Sequence, residues 1–274
     1  MFSAFKLVFG LALGAEMLLA ADPAPFRVCA DPNNLPYSNQ KEQGFEIEMA
    51  AMIARDFGTH ATYLWYPQRG SFFSKTLDSG VCDAVMSVPE GFGQATTTRP
   101  YYRSTYVFVS RHDRNLRINS FDDPRLHHLR IGVHVLGDAD RTPPPVQALL
   151  SRGLAHNLVG YSIFGNLTEA NPASDLIRAV MNNQVDVAVA WGPLAGYFAR
   201  HSTTPLDITP IPADPSNPAL PLAFDIAIGV RAGNYQLRDR LNKELTRRAP
   251  EIHQMLRKYG VPEMNLSAST AGGY

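Results

Sequence analysis

The sequence predicts an α/β fold of two similar lobes, each a mainly parallel sheet flanked by helices, facing one another across a cleft. Three observations predict it. Short runs rich in β-branched and aromatic residues alternate with amphipathic runs, an order that gives parallel sheets covered by helices. The alternation occurs once before residue 110 and again after residue 130. A final strand and a long helical stretch follow a proline-rich connection, so the chain crosses to a second lobe and returns.

The elements follow in order. Residues 27–30 form a short strand that runs into a Pro-rich turn at 31–39. A helix spans 44–58, with Met49, Met52, Ile53 and Phe57 on one face, Glu46, Glu48 and Asp56 mostly elsewhere, and Gly58 as its stop. Residues 60–66 alternate and are rich in Thr, Tyr and Trp, as a strand requires. Ser71 is a cap for a helix through 79, closed by Gly80. Strands follow at 82–88 and 106–110, the latter leaving the first lobe.

The second set begins with a strand at 130–135 and a helix at 143–152 that opens on prolines and ends at Gly153. A strand at 158–163, a helix at 174–182 with Ile177, Val180 and Met181 inward, a buried strand at 185–190 and a helix at 193–201 complete it. Residues 209–221 read as the connection back, and 224–230 as the returning strand. The helical stretch 235–259 turns Leu237, Leu241, Leu245, Ile252, Met255 and Leu256 to the core; Pro250 breaks it, and Gly260 and Pro262 end it. The expected organisation is therefore a leader at 1–21, one lobe from 22–110 plus 222–265, the other from 111–221, and a flexible tail at 266–274.

The 274 residues are enough to bury a sizeable core. Basic and acidic residues number 25 each, which argues against nucleic-acid binding, a function that needs a net basic face. Lys6, the apolar run 7–15 and the small residues Ala20 and Ala21 have the form of a secretory signal. The alternative is an uncleaved anchor, which the run is too short to provide comfortably. Export to an oxidising compartment lets the two cysteines pair. Cys29 lies in the first strand and Cys82 begins the third. In a sheet of order 2-1-3 those strands are neighbours, so their ends can meet. Two buried thiols are the other reading. Two cysteines this far apart carry no metal-binding spacing.

Ligand sites favour the cleft outside the carboxyl ends of the strands. Its expected lining includes Asp31, Asn33, Tyr37, Phe45, Trp65, Tyr66, Pro89, Tyr101, Tyr102, His134 and Trp191. Aromatic side chains beside an opening stack on planar ligands or grip a partner's side chain. Tyr66, Tyr106 and Phe108 are better read as packing. Arg69, Arg99 and Arg103 are the basic groups that can reach the cleft, Arg99 foremost, with hinge or surface ion pairs as the alternative. Asp31, Glu46 and Asp225 are the acids that can approach it, but no motif pairs them for acid–base work. His127 and His128 read as solvated. No nucleotide-binding, metalloprotease or hydrolase motif is present, nor calcium-type ligand spacing. The expectation is a non-catalytic chain with no cofactor and no metal of its own.

The segments RVCADPNNLPYSN, GFEIEMAAMIARDFG, CDAVMSVPE and PYYRSTYVF, in this order, resemble the type II periplasmic solute-binding proteins over nearly all of the chain after residue 21. CADPNNLPYSN, PYYRSTYVFVSR, WGPLAGYF and FDIAIGVRAG look like a narrower group, the XoxJ/MxaJ-type accessory proteins of quinoprotein alcohol dehydrogenases; ADPNNLP and VPEGF favour the XoxJ side. That resemblance implies a periplasmic accessory that helps a methanol or alcohol dehydrogenase mature or become active. The implied partner is a lanthanide-dependent XoxF-type enzyme, with its cytochrome c as a second candidate. An importer's receptor for a non-amino-acid ligand is the alternative.

The resemblance also implies two losses. Amino-acid binders of this fold carry an Arg after the strand equivalent to 82–88, and it clamps the ligand carboxylate. Here Val88-Pro89-Glu90 leads to Gly91. They also end the strand equivalent to 185–190 on an Asp that holds the ligand ammonium; here Trp191 follows. Glycine offers no guanidinium fork and indole no anionic acceptor, so a free zwitterion would be desolvated without partners.

Overall fold

A computed structural model describes residues 23–135, 142–163 and 171–267. The expected leader, residues 1–21, lies outside them, as does the tail beyond residue 267. In chain order the elements are β1 (Phe26–Ala30), β2 (Asn33–Asn34), β3 (Ser38–Asn39), α1 (Phe45–Asp56), β4 (Ala61–Trp65), α2 (Phe72–Lys75), β5 (Ala84–Pro89), β6 (Thr96–Thr97) and β7 (Tyr102–Arg111). Then come β8 (Ile131–Val135), α3 (Pro144–Leu150), β9 (Leu158–Ser162), α4 (Asp175–Met181), β10 (Val187–Trp191), α5 (Gly192–Arg200), β11 (Leu206–Pro210), β12 (Ala223–Val230), α6 (Tyr235–Arg247) and α7 (Ala249–Lys258).

The main sheet runs β4-β1-β5-β12-β7-β10-β8-β9. Its two ends, β4-β1-β5 and β10-β8-β9, are parallel and share the order 2-1-3. The antiparallel strands β12 and β7 join them. β7 is one ten-residue strand: Tyr102–Thr105 pair with β12, and Tyr106–Ser110 pair with β10. Both halves of the sheet are therefore hydrogen-bonded to the same strand. The strand expected at 106–110 begins four residues earlier.

Each half has its own core. In the first, Phe45, Met49 and Ile53 of α1 pack with Met86, Tyr102, Ile228, Leu241 and Leu256. Full burial of such side chains stabilises by about 1.5–3 kcal/mol each. In the second, Phe108, Leu126, Ile131, Leu149 and Val187 form one layer, and Val109, Leu176, Val180 and Leu194 another. Arg248 separates α6 from α7, and Pro250 stands in the first turn of α7, where its missing N–H costs nothing.

Three local differences from the sequence reading have physical causes. The helix after Ser71 ends at Lys75, not at residue 79: Thr76 leaves helical backbone, its hydroxyl donates to the Phe72 carbonyl at 2.6 Å, and the Ser71 side chain makes no cap bond. The connection after residue 205 contains a strand, β11, paired antiparallel with β7 from Leu206 to Pro210. β11 is an edge strand, where a terminal proline is tolerated. Glu46, read as off the apolar face of its helix, is buried with 3% of its surface exposed.

Cys29 and Cys82 are joined in a disulfide, with Cα atoms 5.6 Å apart. β5 lies beside β1 with Cys29 opposite Val85, which brings the two sulfurs together. The bond closes a loop of 53 residues, worth roughly 4 kcal/mol on the chain-entropy account. In the second half, Arg152 donates two hydrogen bonds to Asp214, at 2.8 and 2.9 Å, and Asp214 is 3% exposed. The guanidinium holds that carboxyl well below the usual carboxylate range.

Candidate functional site

A cleft of about 360 Å³ opens where the strands of both halves end. The first half contributes Asn34, Tyr37, Gln68, Ser87, Val88 and Pro89, with Glu46 from the first turn of α1. The strands that join the halves contribute Tyr102 and Tyr106 from β7 and Phe224 and Ile226 from β12. The second half adds His134, Ile163, Trp191 and Leu194. A smaller recess of about 200 Å³ shares Tyr106, His134, Ile163 and Trp191 and extends to Pro143–Pro145.

Aromatic rings dominate the walls. Trp191 meets Tyr106 edge to face at 5.3 Å and Phe224 at 5.8 Å. Its indole lies near the hydroxyl of Tyr37 from the first half, whose pKa burial raises well above the usual phenol value. A second link between the halves is the Asn171 N–H, which donates to Asn33 Oδ1 at 2.9 Å.

Glu46 is the acid of the lining. It stands near the N-terminus of α1, where the helix dipole favours a negative charge. Burial outweighs that effect and pushes its carboxyl up from 4.5 to about 7; the Ser87 hydroxyl opposes the rise and the charge of Asp31 adds to it. Glu46 makes no ion pair with any described residue. The Tyr102 hydroxyl near it is buried, its residue 1% exposed, and makes no hydrogen bond of normal geometry among the described residues, with the Ser87 hydroxyl as a polar neighbour. His134 is 9% exposed; its Nε2 faces the Ala173 carbonyl at 2.9 Å, and burial lowers its pKa to about 4. At neutral pH the imidazole is thus uncharged, with Nε2–H as the donor. No Lys or Arg lines the cleft among the described residues.

The structure brings together Tyr37, Glu46, Pro89, Tyr102, His134 and Trp191 of the residues singled out in the sequence. Others stand close behind. Asp31 accepts from the Asn33 and Gln68 N–H groups at 2.8 Å each and so orders the turn after β1; burial raises its pKa. Phe45 is core, 5.2 Å from the Tyr37 ring. Tyr101 is buried, its hydroxyl donating to the Met86 carbonyl at 2.9 Å. Trp65 packs on Tyr63, and Arg69 lies near enough to Asp31 to favour its charge.

Two arginines are placed elsewhere. Arg103 pairs with Asp225 at 2.5 Å across β7 and β12, so both serve the strands that join the halves. Arg99 lies beside α6, where its N–H donates to Asn242 at 2.8 Å. Tyr106, read as packing, lines the cleft. Ser87, Gln68, Phe224 and Ile226 were not singled out; Ser87 had a signal, being the polar residue in the apolar run Ala84–Pro89.

Gly91 occupies a turn at φ +72°, and its N–H donates to Thr97 at 3.2 Å. A side chain there would be strained whatever the space around it. Among the described residues no group of three or more His, Cys, Asp or Glu is placed to hold a metal, and no helix is long and apolar enough to cross a membrane.

A family model for bacterial extracellular solute-binding proteins, family 3, matches residues 26–262. The chain belongs to that family. It is 30% identical to protein MoxJ of Methylorubrum extorquens AM1 over 259 residues, 90% of this chain and 84% of that one. Protein MoxJ of Paracoccus denitrificans is 25% identical over 271 residues, 94% and 97% of the two chains. The crystal structure of the periplasmic binding protein XoxJ from Methylobacterium extorquens AM1 superposes with a TM-score of 0.72 at 31% identity, covering 88% of this chain and all of that one. MxaJ from Methlophaga aminisulfidivorans MPT shares the fold, with a TM-score of 0.75 at 24% identity over 87% of this chain and all of that one. The fold is the two-lobed type of this family, and the chain is a binding protein, not an enzyme.

Proposed function

We propose that this chain is a periplasmic accessory of a quinoprotein methanol or alcohol dehydrogenase, one that binds the enzyme and assists its maturation or activation. The partner is of the lanthanide-dependent XoxF type. The observation that carries the reading is the cleft itself. Where amino-acid binders of this fold place a guanidinium and a carboxylate, this chain has Gly91 in a left-handed turn that suits glycine and Trp191 in an aromatic wall. Similarity to MoxJ and XoxJ over most of the chain supports the same reading. Residues 22–110 with 222–265, and residues 111–221, are the two lobes that present the cleft, and a partner's segment enters between them.

The test is a pull-down from a periplasmic extract, using the chain from about residue 22 onward, as the signal-peptide reading places the cut. Recovery of a quinoprotein dehydrogenase, lost in Trp191→Ala, supports the proposal. Failure to recover or bind the purified dehydrogenase in its cofactor-free form overturns it. A second reading, a receptor for a small non-amino-acid solute, is favoured by the aromatic lining of the cleft. It requires a ligand that raises Tm with concentration.

A further inference from the structure

The cleft has a polarity that neither reading uses. Its one acidic side chain, Glu46, is buried and lacks a cationic partner among the described residues. Its one imidazole among the described residues is neutral, and no Lys or Arg is in the lining among them. Near Glu46 the buried Tyr102 hydroxyl makes no hydrogen bond of normal geometry to any described residue, Ser87 being a polar neighbour. Four more aromatic rings, of Tyr37, Tyr106, Trp191 and Phe224, line the same cleft. Ring faces attract cations, and a desolvated carboxylate attracts them more strongly than a solvated one. A buried polar atom without a partner is costly, so a ligand that supplies the missing donor gains by that amount.

We infer that the inner end of this cleft binds a primary alkylammonium group, its N–H bonds going to the Glu46 carboxylate and the Tyr102 hydroxyl and its alkyl chain lying along Trp191 and Phe224. The chemistry selects against the two nearest alternatives. A free amino acid brings a carboxylate that meets no cation in the lining. A quaternary ammonium has no N–H for the Tyr102 oxygen. Two sources carry the right group, a small free amine or the side chain of a lysine in a protein segment. The inference rests on the reading that this cleft is the binding site, and it adds what the cleft holds.

Titration calorimetry on the purified chain at pH 8, with n-butylammonium chloride as the probe, tests it. Saturable binding is expected, with n-butanol and tetramethylammonium at least tenfold weaker and sodium chloride inert. The chain has two tryptophans, Trp65 and Trp191, so quenching of indole fluorescence gives a second readout on unmodified protein. Glu46→Gln is expected to weaken binding at least tenfold, and Tyr102→Phe, which keeps the ring, several-fold. Displacement of n-butylammonium by the amide of Nα-acetyl-lysine assigns the site to a protein side chain; displacement by methylammonium or ethylammonium alone assigns it to a free amine. Equal affinity for n-butanol and n-butylammonium, or no saturable binding of either, overturns the inference. A dehydrogenase recovered by pull-down without any alkylammonium binding overturns this inference and leaves the partner reading standing.

Discussion

Gly196 of α5 lies directly against the carbonyl of Gly260, so close that a Cβ at position 196 would overlap the Gly260 oxygen. The contact ties a helix of the second half to the segment that follows the last helix of the first. It is reinforced by the rings of Tyr197 and Tyr259, stacked at 5.9 Å, and by the Ser104 hydroxyl, which donates to the Pro262 carbonyl at 2.7 Å. Gly196→Ala must push α5 from this segment, and overpacking of this kind costs about 1–3 kcal/mol. A fall in the urea midpoint without a change in slope is the expected result.

The disulfide gives the second prediction. Cys82→Ala removes the cross-link between β1 and the turn before β5, and the expected loss is roughly 4 kcal/mol by loop closure. Reducing agent should lower the melting temperature of the unaltered chain and leave the variant unmoved.

Much of this was legible in the sequence, for reasons that the particular elements show. Alternating strands and helices made a parallel sheet legible in each half, and the order 2-1-3 expected for the first placed Cys29 beside Cys82. Trp191 was legible as a cleft residue because it ends a buried apolar strand. Glu46 was not legible as a buried acid. It was legible as an acid that could approach the cleft, but its place beside the periodic apolar face of α1 gives no sign of burial until Ser87, Tyr101 and Tyr102 are folded over it. Arg99 and Arg103 mislead in the opposite sense. They flank the cleft tyrosines in sequence, but alternation along β7 and the turn before it sends them to Asp225 and to α6. β11 was missed because its five residues end on Pro210 and pair only with a strand nearly a hundred residues earlier.

The third prediction concerns the buried acid. Glu46 titrates near 7 folded and near its ordinary 4.5 unfolded. Below pH 4.5 both states are protonated and the group costs nothing. Between 4.5 and 7 the unfolded chain ionises first, so stability falls as pH rises, by about 3 kcal/mol in all. The groups facing Glu46 are Ser87, Tyr37, Tyr101, Tyr102 and Asp31; the tyrosines stay neutral over this range, and burial raises the Asp31 carboxyl from its ordinary value. Glu46→Gln should therefore gain on the unaltered chain from pH 5 to about pH 7 and keep a constant advantage above it. Denaturation curves at several pH values measure that gap, and a gap independent of pH would contradict the assignment.

His134 works in the opposite direction. Its pKa is near 4 folded and near 6.5 unfolded. Its contribution is complete above 6.5 and is lost as pH falls to about 4, again by about 3 kcal/mol. In a His134→Gln variant, acid denaturation should begin at a lower pH relative to its own neutral stability. Titration of the imidazole by NMR gives the folded value directly.

The pair Arg152–Asp214 supplies the last. Arg152→Met leaves a buried carboxylate without its partner, and removal of one member of such a pair costs about 3–5 kcal/mol. Asp214→Asn in the same background should recover part of the loss, because it removes the stranded charge. A double-mutant cycle by urea denaturation reads the coupling.

The shared strand β7 has a consequence for how the molecule comes apart. Its first four residues belong to one ladder and the rest to another, with no break between them. Neither half can lose its ladder without stripping bonds from the strand that the other half needs. Thermal unfolding should then be a single calorimetric event, not two domain-sized ones. The slowest-exchanging amides should sit in the middle of β7, near Thr105 and Val107, where only the collapse of both cores admits solvent.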